Sequence, residues 1–462
     1  MRLKTKQGLP PIVFIVLGFA LLLGMPKLVA YLLNNNPASI QERMSWGDKL
    51  LILADATPEK KAGISAFANK EYRTAIAKFQ AALIQQQNDP ETLIYLNNAI
   101  VRSTSDNTPR IAVSVPIGSN LNVARELLRG VAQAQHEINR SGGINGKGLQ
   151  VEIINDENNP DIAEQVAKAL IADPQVLAVV GHNASEASLA AAPIYQSGQL
   201  VMITPTSSAK KLADVGNYIF RALPSTRFLA EPLAKYVLKV AKKPSVATCY
   251  NSQAPDNITF RDEFTASLIA GGGKLINIDC DMASATFNPS TSIAQAIGSG
   301  ADAILLTPHI DQLEKSIEIA RSNKSGLALF SSPSMYTMQT LHSGGSDVNG
   351  LTMPVVWHPQ MEKASVFTKQ ATKLWGGQVN WRTATAYDAT QAIIEGLKKA
   401  RTRSELQATL SNPNFSTTGA GDVVKFLPTG DRYTRPRLVQ VRSTTAKYEF
   451  VLIDPKQVGL AE

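Results

Sequence analysis

The chain has 462 residues, enough for two to four domains at roughly 100–200 residues each. Its 46 Lys and Arg against 38 Asp and Glu give a net charge of +8, yet only 18% of residues are charged and 44% are hydrophobic. That composition excludes wholesale disorder, two cysteines exclude a disulfide-rich scaffold, and no basic run interleaved with aromatics points to nucleic acid.

In chain order, Arg2, Lys4 and Lys6 precede an apolar stretch over residues 9–33, broken only near its end by Lys27. A spanning helix needs about 20 apolar residues, and basic residues before it favour a cytoplasmic N-terminus. Leu28-Val29-Ala30 is a poor small-x-small cleavage site, so residues 1–34 are expected to be an uncleaved signal anchor in the cell membrane. Everything after about residue 35 then lies outside, periplasmic or extracellular.

Residues 35–108 form the next unit. From Gln41 to Val101 the apolar spacing is helical, with Gly63, Phe67, Tyr72, Ala75, Phe79 and Ala82 at three- to five-residue steps. Setting Gly63 as a repeat glycine, with Ala75, Phe79 and Ala82 at small, aromatic and small positions, the segment resembles a tetratricopeptide repeat. It departs where the closing proline belongs, since Gln87 stands there and Pro90 follows. A single repeat cannot bury its own face, so a short helical hairpin packed on another unit is expected, a plain helical spacer being the alternative. Residues 103–109, rich in Ser, Thr, Asn and Pro, read as a linker.

After the linker the pattern alternates. Strands are predicted at 111–115, 149–154 and 176–181, with helices at 123–139 and 162–172 between them. A second run has strands at 245–250, 275–279 and 303–306. Such alternation predicts parallel sheets covered by helices on both faces, in two α/β units with a cleft between them. In open sheets of this kind, ligands sit beyond the carboxyl ends of the strands.

Several stretches then carry a resemblance. They are Glu137-Ile138-Asn139 with the turn at 141–146, Asn155-Asp156, Val180-Gly181-His182, the run 220–225, Ala386-Tyr387-Asp388-Ala389 and the run 426–432. In this order and spacing, residues 109–454 resemble the type I periplasmic solute-binding proteins of the branched-chain amino acid (Leu/Ile/Val) branch. The resemblance implies two lobes joined by three crossovers. Lobe 1 would be about 109–225 plus 352–430, and lobe 2 about 226–351 plus 431–453. The lobes would close on ligand, and the closed form would be read by an ABC permease or a sensor protein.

The resemblance also implies site residues. Loops at 181–185 and 203–208 would hold an α-carboxylate, with Ser185, Thr206 and Ser208 at the matching positions. Helix N-termini suit anions through unpaired N–H groups and dipole, though Ser and Thr there also serve as plain helix caps. In lobe 2 the sequence departs from the family. Asp256-Asn257 replace a Tyr-Gly pair, His309 stands nearest a second tyrosine, and Pro333 or Ser334 stands where an acidic residue would take the ammonium. Asp256 or Asp311 could supply that carboxylate instead, Asp256 being alternatively a solvated turn residue. Cys249 and Cys280, near the ends of expected neighbouring strands, could form a disulfide worth about 3–4 kcal/mol, or remain buried thiols.

Enzyme signatures are missing. Ser141 stands where a P-loop needs glycine, no Gly-x-Ser-x-Gly elbow occurs, and His136 has no second ligand at metal spacing. No cofactor and no metal are expected. The sequence thus points to a solute receptor for an amino acid or small carboxylate. The alternative is a ligand-free envelope regulator, such as a peptidoglycan synthase activator, whose loops would be plugged by large side chains.

Overall fold

The structure, a computed structural model, describes residues 40–361, 364–445 and 447–454. The expected membrane stretch at 9–33 lies outside these. Among the described residues no helix is long and apolar enough to cross a membrane.

The helical block is built from local signals. Thr57 and Asp89 each stand before a proline, and each side chain accepts a hydrogen bond from a first-turn N–H, of Lys60 at 3.1 Å and of Thr92 at 3.0 Å. Pro58 and Pro90 take the first helical position, where no N–H is needed. The helices Pro58–Ala68 and Pro90–Arg102 begin there, with Tyr72–Gln85 between them. Gly63 sits where the first two cross, since a Cβ there would lie 2.6 Å from the Phe79 ring. Beneath them Lys60 is fully buried, its ammonium 2.8 Å from Asp89 and 2.7 Å from Glu91.

The first sheet contains β1 (Met44–Ser45), β2 (Arg110–Val115), β3 (Gln150–Asn155), β4 (Val176–Val180), β5 (Val201–Thr204) and β6 (Ile219–Arg221), in the order β1-β3-β2-β4-β5-β6. All neighbours are parallel except β1, which runs antiparallel along β3. Ile111 to Val115 are all buried, because helices cover both faces and leave no solvent side to alternate with.

The linker expected at 103–109 does not set the helical block apart. Besides β1, Asn98 extends the sheet edge with its side chain, donating to Val151 O at 2.7 Å and accepting from Val151 N at 3.0 Å. Arg125 pairs with the buried Asp55, and Gln87 donates to the carbonyls of Lys373 and Leu374. The block is therefore part of lobe 1 by contact. A two-residue strand and one asparagine side chain leave no periodic trace, so the sequence pattern could not show this.

The second sheet holds β7 (Ser245–Tyr250), β8 (Lys274–Ile276), β9 (Ala303–Thr307), β10 (Ala328–Ser331) and β11 (Thr352–Val355) in parallel. A small hairpin of β12 (Thr417–Thr418) and β13 (Val423–Val424) follows in the chain. Then β14 (Arg437–Ser443) and β15 (Tyr448–Leu452) complete the second sheet as antiparallel strands, in the order β15-β14-β11-β10-β9-β7-β8. The chain crosses between lobes three times, after β6, after β11 and before β14. Residues 352–355, assigned to lobe 1 by the expected boundaries, are a strand of lobe 2, since Thr352 to Val355 pair with β14. Between the last two crossings, helices Ser365–Trp375, Trp381–Leu397 and Arg403–Leu410 return to lobe 1.

Cys249, at the end of β7, is joined by a disulfide to Cys280, their Cα atoms 4.7 Å apart. Cys280 lies beyond β8, which ends at Ile276, earlier than the 279 expected. Backbone bonds from Tyr250 N to Cys280 O at 3.1 Å and from Met282 N to Tyr250 O at 2.7 Å flank the bridge. Replacing both cysteines by serine is expected to cost about 3 kcal/mol by freeing the closed loop in the unfolded chain. Urea unfolding of the double variant, compared with wild type before and after thiol reduction, checks this: reduced wild type should fall to the variant's level.

Candidate functional site

Three sequence motifs that are far apart in the chain meet at the crossovers. Arg221, the last residue of β6, pairs with Asp431, and Arg432 pairs with Asp388 on the helix Trp381–Leu397. All four are buried, and the pairs tie the first and third crossovers to lobe 1. Arg221 Nη1 also donates to the carbonyls of Ser208 at 3.2 Å and Ala209 at 2.7 Å, so the hinge pair holds the loop after β5. The loop after β4 is held from below. His182 Nδ1 lies 2.6 Å from Asp156, which also accepts from Ser114 at 2.8 Å, and the His182 carbonyl accepts from Thr204 at 2.8 Å. Burial alone would raise the Asp156 carboxyl, but these bonds and the His182 ring hold it below its ordinary value.

Both lobes have the core strand order 2-1-3-4-5, counting from the first strand of each, with a switch point between its first and third strands. Ligands in such sheets lie beyond the strand ends at that switch. A cavity of about 80 Å³ lies there between the lobes, enough for several waters or one compact solute. Ser185, Thr206, Ser208, Asp256 and His309 all line it, as do Pro333 and Ser334. The loops are thus not plugged, contrary to the regulator alternative. Lys210 on lobe 1 reaches Glu263 on lobe 2 at 3.4 Å, so the lobes touch across the cleft.

Position bears on the helix-cap reading of these hydroxyls. Ser185 is the first residue of helix Ser185–Ser197, whose N-cap is Ala184 and which has no side-chain cap; the Ser185 hydroxyl instead meets Ser207 at 2.9 Å. The helix therefore presents its first N–H groups without a capping oxygen. Thr206 donates to Asn183 O at 2.9 Å and braces the loop. Ser208 caps no helix, the short turn after it being capped by Ala209 without a side-chain bond. Asp256 is not a turn residue. It lies in the first turn of helix Pro255–Ala270, accepting from Asn257 N at 3.0 Å.

Charge is distributed across the cleft. His309 lies 3.3 Å from Asp311, with Asp256 and the lobe 1 residue Glu186 also acting on it. Burial would lower the imidazole, but these three carboxylates raise it above its ordinary value. Burial pushes up Asp256 and Glu186, which His309 partly offsets.

Sequence reasoning missed Phe260, Ser332, Tyr336, Trp381 and Arg382, all of which line the cavity, as do Asn183 and Asn257 from the expected stretches. Arg382 follows the quoted motif's own helix back to its start, four residues before Ala386. No local pattern in the sequence marks Trp381 or Arg382 as lining a cavity. Asn257 Oδ1, Ser332 Oγ and Trp381 Nε1 are buried and have no hydrogen-bond partner.

Comparisons with known proteins bear on the family and the fold. A family model described as periplasmic binding protein matches residues 108–446. The leucine-, isoleucine-, valine-, threonine- and alanine-binding protein of Pseudomonas aeruginosa is 29% identical over 153 residues, 33% of this chain and 41% of that relative. The chain thus aligns with less than half the length of the curated relatives it matches. In fold, the leucine-binding protein of Thermotoga maritima is similar with a TM-score of 0.66 at 19% identity, over 75% of this chain and 99% of that one. An R. palustris solute-binding protein in complex with 4-hydroxybenzoate also has a TM-score of 0.66, at 17% identity over 75% and 96% of the two chains. With the family match spanning nearly three-quarters of its length, the chain belongs to the periplasmic binding protein family, whose members bind solutes without transforming them.

Proposed function

We propose that the protein is a membrane-tethered extracytoplasmic receptor that binds an amino acid or small carboxylate for ABC-type uptake or for sensing. The observation that carries this reading is the convergence of Ser185, Thr206 and Ser208 from lobe 1 with Asp256 and His309 from lobe 2 on one cavity. A carboxylate fits the uncapped start of helix Ser185–Ser197 and the Ser208 hydroxyl. An ammonium fits the Asp256 carboxylate, which lines the cavity. The relative named for five amino acids and the fold neighbour holding 4-hydroxybenzoate share the carboxylate end of this chemistry. Residues 1–34 would anchor the chain, 35–108 would be a tetratricopeptide-like hairpin with its linker, and 109–454 the binding domain. The crossing at Gly63 and Phe79 supports the hairpin reading. The partner would be a permease or sensor protein that recognises the closed lobes.

The test is thermal unfolding of the purified chain with a panel of amino acids and small carboxylates. A solute at 100 times its Kd should add about 2.7 kcal/mol of stability. Ser208→Ala should weaken binding of that solute about tenfold or more by removing a hydrogen bond to a charged group. A flat panel, or a shift unchanged in Ser208→Ala, would count against this site.

A further inference from the structure

We infer that the solute carries a second oxygen acceptor besides its carboxylate, read by Arg382 and Trp381, so that the ligand is an acidic or amide amino acid or a dicarboxylate. The inference rests on the receptor reading above and narrows it. It starts from a count of donors. A carboxylate has two oxygens with about four lone-pair sites, and the first N–H groups of helix Ser185–Ser197 with the Ser208 hydroxyl can already fill most of them. Trp381 and Arg382 add donors from another element, the start of the helix Trp381–Leu397. Indole and guanidinium are donors only, so neither is satisfied by an ammonium or by an aliphatic side chain.

The surroundings leave Trp381 Nε1 in need of an acceptor and give Arg382 a single carboxylate, Glu126. Trp381 is 6% exposed, and its Nε1 has no partner. Arg382 is 5% exposed, and its guanidinium lies over the Trp381 ring, 4.6 Å from the centroid. The Arg382 carboxylate neighbour, Glu126, stands 3.5 Å away, and its Oε2 makes no hydrogen bond. Glu126 is also shared with Arg129, so the pair of arginines outweighs it by one charge. Burial pushes the Glu126 carboxyl up despite both cations. Leucine, isoleucine or valine would bury Trp381 Nε1 and the Arg382 fork against methyl groups, at about 1–3 kcal/mol for each donor left unpaired. Arginine's planar fork is suited to a carboxylate or carboxamide oxygen. Asn257 Oδ1 and Ser332 Oγ, also unpaired, can accept from an ammonium or amide N–H.

Titration calorimetry of the full chain with L-leucine, L-aspartate, L-glutamate, L-glutamine and malate tests this. At least one of the last four should bind tenfold or more tighter than leucine. Arg382→Leu should remove that preference and bring leucine level or ahead. Where the single variant loses its fold in the absence of solute, Glu126→Gln with Arg382→Leu removes the stranded carboxylate and gives the same readout. Leucine binding as tightly as the others, with ranks unchanged in the variant, overturns the second acceptor and leaves the receptor reading standing. No heat from any of the five overturns the second acceptor, and a flat result on the wider panel above then overturns the receptor reading as well.

Discussion

Replacing Arg221 by methionine is expected to destabilise the protein by about 3–5 kcal/mol, because Asp431 would be left as a buried charge without its cation. Arg221 is 2% exposed and Asp431 4%, so water cannot take over the lost contact. Burial lowers the guanidinium, and Asp431 works against that shift. Replacing both residues, Arg221→Met with Asp431→Leu, should recover most of the loss, since a buried pair is worth little net against apolar groups of similar size. Chemical denaturation of the two variants decides it. A double variant as unstable as the single one would mean that the carbonyl contacts to Ser208 and Ala209, rather than the stranded charge, carry the cost.

Glu152→Gln is expected to stabilise the protein at alkaline pH by about 5 kcal/mol and to change little near pH 4. Glu152 lies on β3 opposite Ala112, 6% exposed, and burial together with Asp173 and Asp48 pushes its carboxyl up from 4.5 to about 8. The folded protein thus holds a proton that the unfolded chain has released between about pH 4.5 and 8. Stability falls with rising pH across that window and is level above it for this group. Glutamine keeps the shape of the neutral acid and cannot ionise. Unfolding free energies at pH 5 and pH 9 should therefore diverge between wild type and variant only at the higher value. Parallel pH profiles would remove Glu152 as the cause.

Much of the fold was legible because both sheets are buried on both faces, so their strands read as unbroken apolar runs between helical periods. Residues 245–250 were found to the residue for that reason. The loops of Ser185, Thr206 and Ser208 were legible because hydroxyl residues cluster where a strand gives way to a helix. Asp256 and His309 were reached only through their offsets from lobe 2 strands. Arg382 and Trp381 were not, since their place in the cavity depends on a helix that returns from the second crossover, more than 170 residues after Ser208. Nothing local marks such a return. The join between the helical block and lobe 1 escaped for a similar reason: Asn98 bonds to Val151, 53 residues away, through one side chain.

That join has a mechanical meaning. β1, Asn98, Asp55 and Gln87 all bear on the first sheet and its helices, through partners at Ile153 and Ile154, Val151, Arg125, and Lys373 and Leu374. A tension applied ahead of residue 40 would enter lobe 1 through this seam and be resisted there by main-chain bonds, a buried amide and an ion pair. The load path ends without crossing the hinge. A steady pull is therefore borne by lobe 1, and lobe 2 stays outside the load path.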